Sequence, residues 1–142
     1  MLGYVCKYTP MELFEAMDTE ITRLEPSVTD FNHADTLMHA NICSYTKAVL
    51  EDVMEHDYEG VILTTCCDSI RRLYDTLKSQ FPDKFFFLLD IPRKFNDFAV
   101  TLYERQLKQM LTEYEAFSGK TLDLKRFVSM MQNKAALKKQ EN

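Results

Sequence analysis

Two adjacent thiols, Cys66 and Cys67, end the β-branched apolar run Val61-Ile62-Leu63-Thr64-Thr65 and directly precede Asp68-Ser69-Ile70-Arg71-Arg72, which reads as a helix start. Sulfur is thereby set at the carboxyl end of a strand and the amino end of a helix, the crevice where open α/β sheets bind ligands. A helix start also favours the thiolate, the form that reacts or ligates metal. A further thiol, Cys43, stands before a second amphipathic run, 23 residues upstream of Cys66. Two helix starts that each carry a cysteine, gathered at one sheet edge, suggest a shared site. Soft thiolates select zinc, copper(I) or iron–sulfur clusters. Structural zinc usually comes in C-x₂₋₄-C hooks, which this chain lacks, so an iron–sulfur site is the better metal reading. Free cysteines are also small buried hydrophobes, and spacing alone leaves that reading open. Adjacent residues leaving a strand point opposite ways, so only one of Cys66 and Cys67 is expected to face the crevice.

Other residues carry weaker signals. Cys6 follows a short apolar start and faces the same crevice if that start is a strand, although a lone cysteine there is more often core. His33, His39 and His56 have no ligand spacing and are expected on the surface. Asp68 and Ser69 are ordinary helix-start residues. Of Arg71 and Arg72, one is expected in solvent; the other suits a surface salt bridge better than an anionic group such as a CoA phosphate. Glu25 is within reach of a crevice as a general base, but its place before Pro26 favours exposure. No Gly-rich phosphate loop, Ser-His-Asp pattern or paired-carboxylate signature is present.

The elements that must position these groups follow from periodicity. Gly3 to Cys6 reads as a short strand. Thr9-Pro10-Met11-Glu12 reads as a capping box with proline at the first helical position, opening a helix whose apolar face is Leu13, Phe14, Ala16 and Met17. Ile21 to Leu24 alternates as a second strand, Pro26 to Asn32 reads as loop, and Ala34 to Met38 as a brief strand or turn. A helix from Ser44 to about His56 buries Ala48, Val49, Val53 and Met54. After the strand Val61–Thr65 comes a helix over 69–79 with Ile70, Leu73, Tyr74 and Leu77 on one face. Phe85 to Leu89 is continuously apolar, as a strand buried on both faces of a parallel sheet must be. A long helix runs from about Asn96 to Phe117 and stops near Ser118-Gly119; a last one spans about Leu122 to Leu137. Alternating strands and helices predict an α/β fold, a three-layer open parallel sheet of about four strands with flanking helices (a Rossmann- or flavodoxin-like lobe). The last helix carries Leu124, Phe127, Val128, Met131 and Leu137 on one side, so it either docks on this domain or leads into another.

Size and composition set bounds. With 142 residues, 46% of them hydrophobic and 27% charged, the chain makes one globular domain with a real core. A net charge of −5 argues against nucleic acid, whose phosphates reward basic surfaces. No apolar run approaches a membrane span, and the first residues lack a signal peptide. The cytoplasm is therefore expected, where cysteines stay reduced and serve as ligands or nucleophiles more than as disulfides; the vicinal pair Cys66-Cys67 is in any case a poor disulfide unit.

Three segments together carry a resemblance: Gly3-Tyr4-Val5-Cys6-Lys7-Tyr8-Thr9-Pro10-Met11-Glu12-Leu13, Ala40-Asn41-Ile42-Cys43-Ser44-Tyr45, and Thr65-Cys66-Cys67-Asp68-Ser69-Ile70-Arg71-Arg72. With Leu88-Leu89-Asp90-Ile91-Pro92-Arg93-Lys94, they resemble the 2-hydroxyacyl-CoA dehydratase and benzoyl-CoA reductase family, the D-component of 2-hydroxyglutaryl-CoA dehydratase in particular. The resemblance implies α/β lobes and an iron–sulfur cluster held by cysteines at helix starts. Cys43 matches the first family ligand and Cys67, directly before the aspartate, the second; Cys66 is an extra thiol. Additional cysteines, Cys6 among them, look closer to the double-cubane cluster branch, so the implied cofactor is a 4Fe–4S or double-cubane cluster. An ATP-dependent iron–sulfur activator protein is the implied electron donor. In the dehydratases that electron goes to a 2-hydroxyacyl-CoA, making a ketyl radical anion that expels the hydroxyl group. Family subunits contain a second α/β lobe that supplies a further cysteine and half of the cleft. Residues 1–120 are accordingly expected to form the cluster-binding lobe and 121–142 a C-terminal helix leading toward a second lobe or a homologous subunit. Ala16-Met17-Asp18 stands where the family commonly shows a glycine turn.

The resulting expectation is an N-terminal lobe for low-potential electron transfer, radical dehydration or reduction of an acyl-CoA or other small substrate, in an anaerobic setting. Catalysis as a lyase or reductase then needs completion by a second lobe or partner chain. The rival is a non-catalytic α/β assembly domain with inert cysteines, able to form a homo-oligomer. A thiol-based redox protein is a third, weaker reading, because the C-x-x-C spacing is missing.

Overall fold

The computed structural model describes residues 1–6, 9–24, 37, 43–65, 68–92, 94 and 96–141. In chain order the elements are β1 (Leu2–Tyr4), α1 (Met11–Ala16), β2 (Ile21–Arg23), α2 (Ser44–Glu55), β3 (Gly60–Thr64), α3 (Asp68–Gln80), β4 (Phe85–Leu89), α4 (Asp97–Ser118) and α5 (Leu124–Glu141). The four strands form one parallel sheet in the order β2-β1-β3-β4, with Leu2 opposite both Ile21 and Gly60, and Gly60 opposite Phe85. This is the α/β sheet that the alternation of apolar runs predicts. The most apolar strands, β3 and β4, lie beside each other where both faces are covered.

Side chains alternate across the sheet and divide the core into two layers. Val5, Val61, Leu63 and Phe86 meet Val49, Leu50 and Val53 of α2 and Ile70, Leu73 and Leu77 of α3. On the other face Leu2, Ile62, Phe85, Phe87 and Leu89 meet Leu13 and Phe14 of α1 and Met110 and Tyr114 of α4. The last helix docks on this second face: α5 packs along α1, Phe127 touches the core, and Leu124, Val128 and Met131 stay exposed.

Two local features differ from the sequence expectation. The first strand ends at Tyr4, so Cys6 lies beyond it. Thr9 is no capping residue. The first helix starts at Met11 with Pro10 at its cap and without a side-chain cap bond, and the buried Thr9 hydroxyl has no hydrogen-bond partner among the described residues. The short helix is held instead by burial of Leu13, Phe14 and Ala16. After Met17, Asp18 adopts φ 59°, the left-handed region that aspartate tolerates better than most residues, and so makes the turn a glycine would make. Gly119 closes α4 at φ 75°, the usual left-handed C-cap. The expected strand or turn over 34–38 lies outside the described residues except for Leu37, which packs against the first core layer.

At the amino ends of the strands a polar knot closes around the buried Thr19 and Tyr114. The Tyr114 hydroxyl donates to Glu59 Oε1 at 2.7 Å and pairs with Thr19 Oγ1 at 3.0 Å. Lys120 Nζ donates to Thr19 Oγ1 and to the Asp18 carbonyl, and Arg126 reaches the Asp18 carboxylate at 3.5 Å. Burial and the Glu59 carboxylate push the Tyr114 phenol up to about 12.

Candidate functional site at the carboxyl rim of the sheet

Helix α2 feeds β3 at the amino end of the sheet, so its own start lies at the opposite rim. One contact fixes that placement: the Tyr45 hydroxyl donates to the Val5 carbonyl at 3.3 Å, joining the first turn of α2 to the exit of β1. Cys43 is the N-cap residue of α2 and is exposed. Its sulfur lies 3.4 Å from the Thr46 hydroxyl, one turn on. That hydroxyl, with the N–H groups of Thr46 and Tyr45, holds the thiol below its ordinary range and outweighs its slight burial. The Cys43 thiolate is thus favoured by its own helix, as expected for a cysteine at such a start.

Cys6 lies on the same rim, two residues past β1, half-buried against the first core layer. It is close enough to Tyr103 of α4 that its charge, added to burial, raises the tyrosine hydroxyl above the usual phenol range. Cys66 and Cys67 lie outside the described residues, as do Glu25, His33 and His39. Their flanks are defined. Thr65 N–H donates to the Leu89 carbonyl, Thr65 Oγ1 donates to Asp90 Oδ1 at 2.6 Å, and α3 opens at Asp68. Arg71 and Arg72 are both exposed, so neither is held inward toward a phosphate site. His56 is exposed at the far end of α2, where its ring contacts Asp52.

The exit of β4 is fixed by a side chain the sequence gave no reason to single out. Gln106 Oε1 accepts from the Asp90 N–H at 2.7 Å, and Gln106 Nε2 donates to the Asp90 carbonyl at 2.8 Å. Beside this pair a cleft of about 150 Å³ is lined by Asp90, Pro92, Asn96, Phe98, Leu102 and Tyr103, among others. Among the described residues no group of three or more His, Cys, Asp or Glu is placed to hold a metal ion. Thr46 had a readable signal, a hydroxyl three residues after a cysteine at a helix start. Tyr103 and Gln106 had none, since both act through contacts between distant elements.

The family model for the D-component of 2-hydroxyglutaryl-CoA dehydratase matches residues 6–140. The chain belongs to this family. Membership makes it a 2-hydroxyacyl-CoA dehydratase-like protein, in agreement with the resemblance carried by the cysteine-bearing segments. The match takes in the Cys6, Cys43 and Cys66-Cys67 segments and both long terminal helices, α4 and most of α5. A search of curated proteins finds no match. No described helix is long and apolar enough to cross a membrane.

Proposed function

We propose that this chain is the N-terminal lobe of a 2-hydroxyacyl-CoA dehydratase-like iron–sulfur protein that works in low-potential electron transfer. In this reading Cys43 and Cys67 ligate the cluster, of 4Fe–4S or double-cubane type, and Cys66 and Cys6 are the further thiols nearby. The observation that carries it is the state of Cys43, an exposed thiol with its thiolate favoured, at a helix start on the rim where β1 and β3 exit. Soft, deprotonated sulfur is what iron–sulfur centres require, so the donor chemistry fits.

When bound, the cluster would supply one low-potential electron to a 2-hydroxyacyl-CoA. The chain's own residues do the rest. The Thr46 hydroxyl and the N–H groups of Tyr45 and Thr46 favour the Cys43 thiolate, the form that would ligate iron. Tyr45 holds the start of α2 against β1 and so limits the drift of Cys43. The partners of this reading are a second α/β lobe or homologous subunit, which completes the cleft, and an ATP-dependent iron–sulfur activator, in the cytoplasm of an anaerobic cell.

Iron, sulfide and visible absorption of the full chain purified without oxygen test the reading. Broad charge-transfer absorption is expected, with Cys43→Ala and Cys67→Ala each abolishing it. A cluster retained in both variants would show the ligand assignment to be wrong.

A further inference from the structure

A chain of short hydrogen bonds from α4 braces the exits of β4 and β3. The sheet ladder ends where Thr64 stands opposite Leu89. Beyond it the Thr65 N–H still donates to the Leu89 carbonyl at 3.1 Å. The Thr65 hydroxyl donates to Asp90 Oδ1 at 2.6 Å, a charge-assisted length. Gln106, midway along α4, then engages both backbone groups of Asp90, at 2.7 and 2.8 Å. One amide that bonds the N–H and the carbonyl of a single residue fixes its orientation as well as its place. The strut lies at the surface, with Asp90 exposed and Thr65 and Gln106 half-buried. Hydrogen bonds that merely replace bonds to water add little to the stability of a fold, so a run of them outside the core holds a position instead. That position is the departure point of the thiol-bearing pair. Thr65 directly precedes Cys66, and α3 opens at Asp68, directly after Cys67.

We infer that Gln106 is a positioning residue: through Asp90 and Thr65 it sets the direction in which the chain leaves β3, and so which thiol of the pair is presented to the rim that carries Cys43. The inference rests on the function proposed above and deepens it by naming what aims the ligand. Successive residues of an extended chain send their side chains to opposite sides, so a fixed departure presents two adjacent thiols unequally. Hydrogen-bonded neighbours that orient a ligand matter to a metal centre nearly as much as the ligand itself.

Alkylation of the full chain by iodoacetamide in the presence of a chelator tests this, with each cysteine quantified by tandem mass spectrometry. In the unaltered chain one of Cys66 and Cys67 is expected to react about tenfold faster than the other. Gln106→Leu keeps a helix-forming side chain and loses both polar atoms; Thr65→Val keeps the shape and loses the hydroxyl. Each should narrow that ratio several-fold at an unchanged rate for Cys43 and an unchanged melting temperature. Thr65→Ser, which keeps the donor, should retain the original ratio. Iron content after purification without oxygen should fall together with the ratio. Equal reaction of the two thiols in the unaltered chain, or an unchanged ratio in either Gln106→Leu or Thr65→Val, overturns the inference. So does a narrowed ratio with an equal acceleration at Cys43, which marks general loosening. A ratio that narrows while the iron content holds also overturns it and leaves the proposed function standing. A ratio that narrows as expected in a chain that never binds iron upholds the strut and removes the iron–sulfur reading instead.

Discussion

At the amino ends of the strands, half-buried Glu59 and buried Thr19 and Tyr114 close a polar knot, and Gly60 lets β3 and β4 approach so closely that any side chain would collide with the Phe85 carbonyl. At the carboxyl ends the same sheet carries an exposed thiol, a half-buried one and an open cleft. The polar groups of the first rim are consumed by one another. Those of the second hold neighbouring backbone in place or sit beside sulfur, and they leave the Cys43 thiol exposed and the cleft open. One rim therefore invests in stability and the other in availability, which is how a scaffold separates the part that must not move from the part that must bind.

The most severe way to break the first rim is Gly60→Ala. Its Cβ would lie 1.8 Å from the Phe85 carbonyl oxygen, which is backbone and has no rotamer to escape into. A loss of about 4 kcal/mol or more is expected, read as a collapse of the urea midpoint or of soluble yield.

Tyr114→Phe leaves the ring contacts with Phe14 and Phe85 and removes only the hydroxyl. The loss of its bonds to Glu59 and Thr19 should cost about 1–3 kcal/mol. Its phenol also predicts a pH signature. An acid whose folded pKa is raised, here from 10 to about 12, stabilises the fold fully below pH 10 and loses that contribution as pH climbs toward 12. Tyr58 and Tyr103, shifted in the same direction, add to the slope. Urea titrations between pH 9 and 12 should therefore show falling stability, with a shallower fall in Tyr114→Phe.

The smallest effect sharpens the second rim. Thr46→Val removes the hydroxyl beside Cys43 but keeps the volume of that buried position. Alkylation of Cys43 by iodoacetamide, followed by mass spectrometry across pH, should move its midpoint upward and slow several-fold at neutral pH. A profile that does not move would assign the thiolate to the helix backbone alone.

The sheet was legible because β3 and β4 are apolar on both faces and the helices around them keep a clean 3.6-residue spacing; parallel pairing of about four strands follows, whereas the order β2-β1-β3-β4 could not be read from it. The first turn of α1 was misread because Thr-Pro-x-Glu has the residue types of a capping box, yet burial of Leu13 and Phe14 sets the helix start and leaves Thr9 uncapping. Asp18 gave no warning of its left-handed backbone, since aspartate is ordinary in most conformations. At the candidate site, the helix-start position of Cys43 could be read from local pattern. Its tether through Tyr45 and the Gln106 pairing could not, because both join residues brought together only by the crossovers.

The Gln106 amide has a consequence at the border of the sheet. β4 is an edge strand, and such edges invite further strands from other molecules. By offering Asp90 one acceptor and one donor, the glutamine imitates the backbone of an added neighbour for the length of a single residue. An incoming chain that tried to zip along β4 would find that rung already occupied, with Pro92, which has no N–H to give, two residues further on.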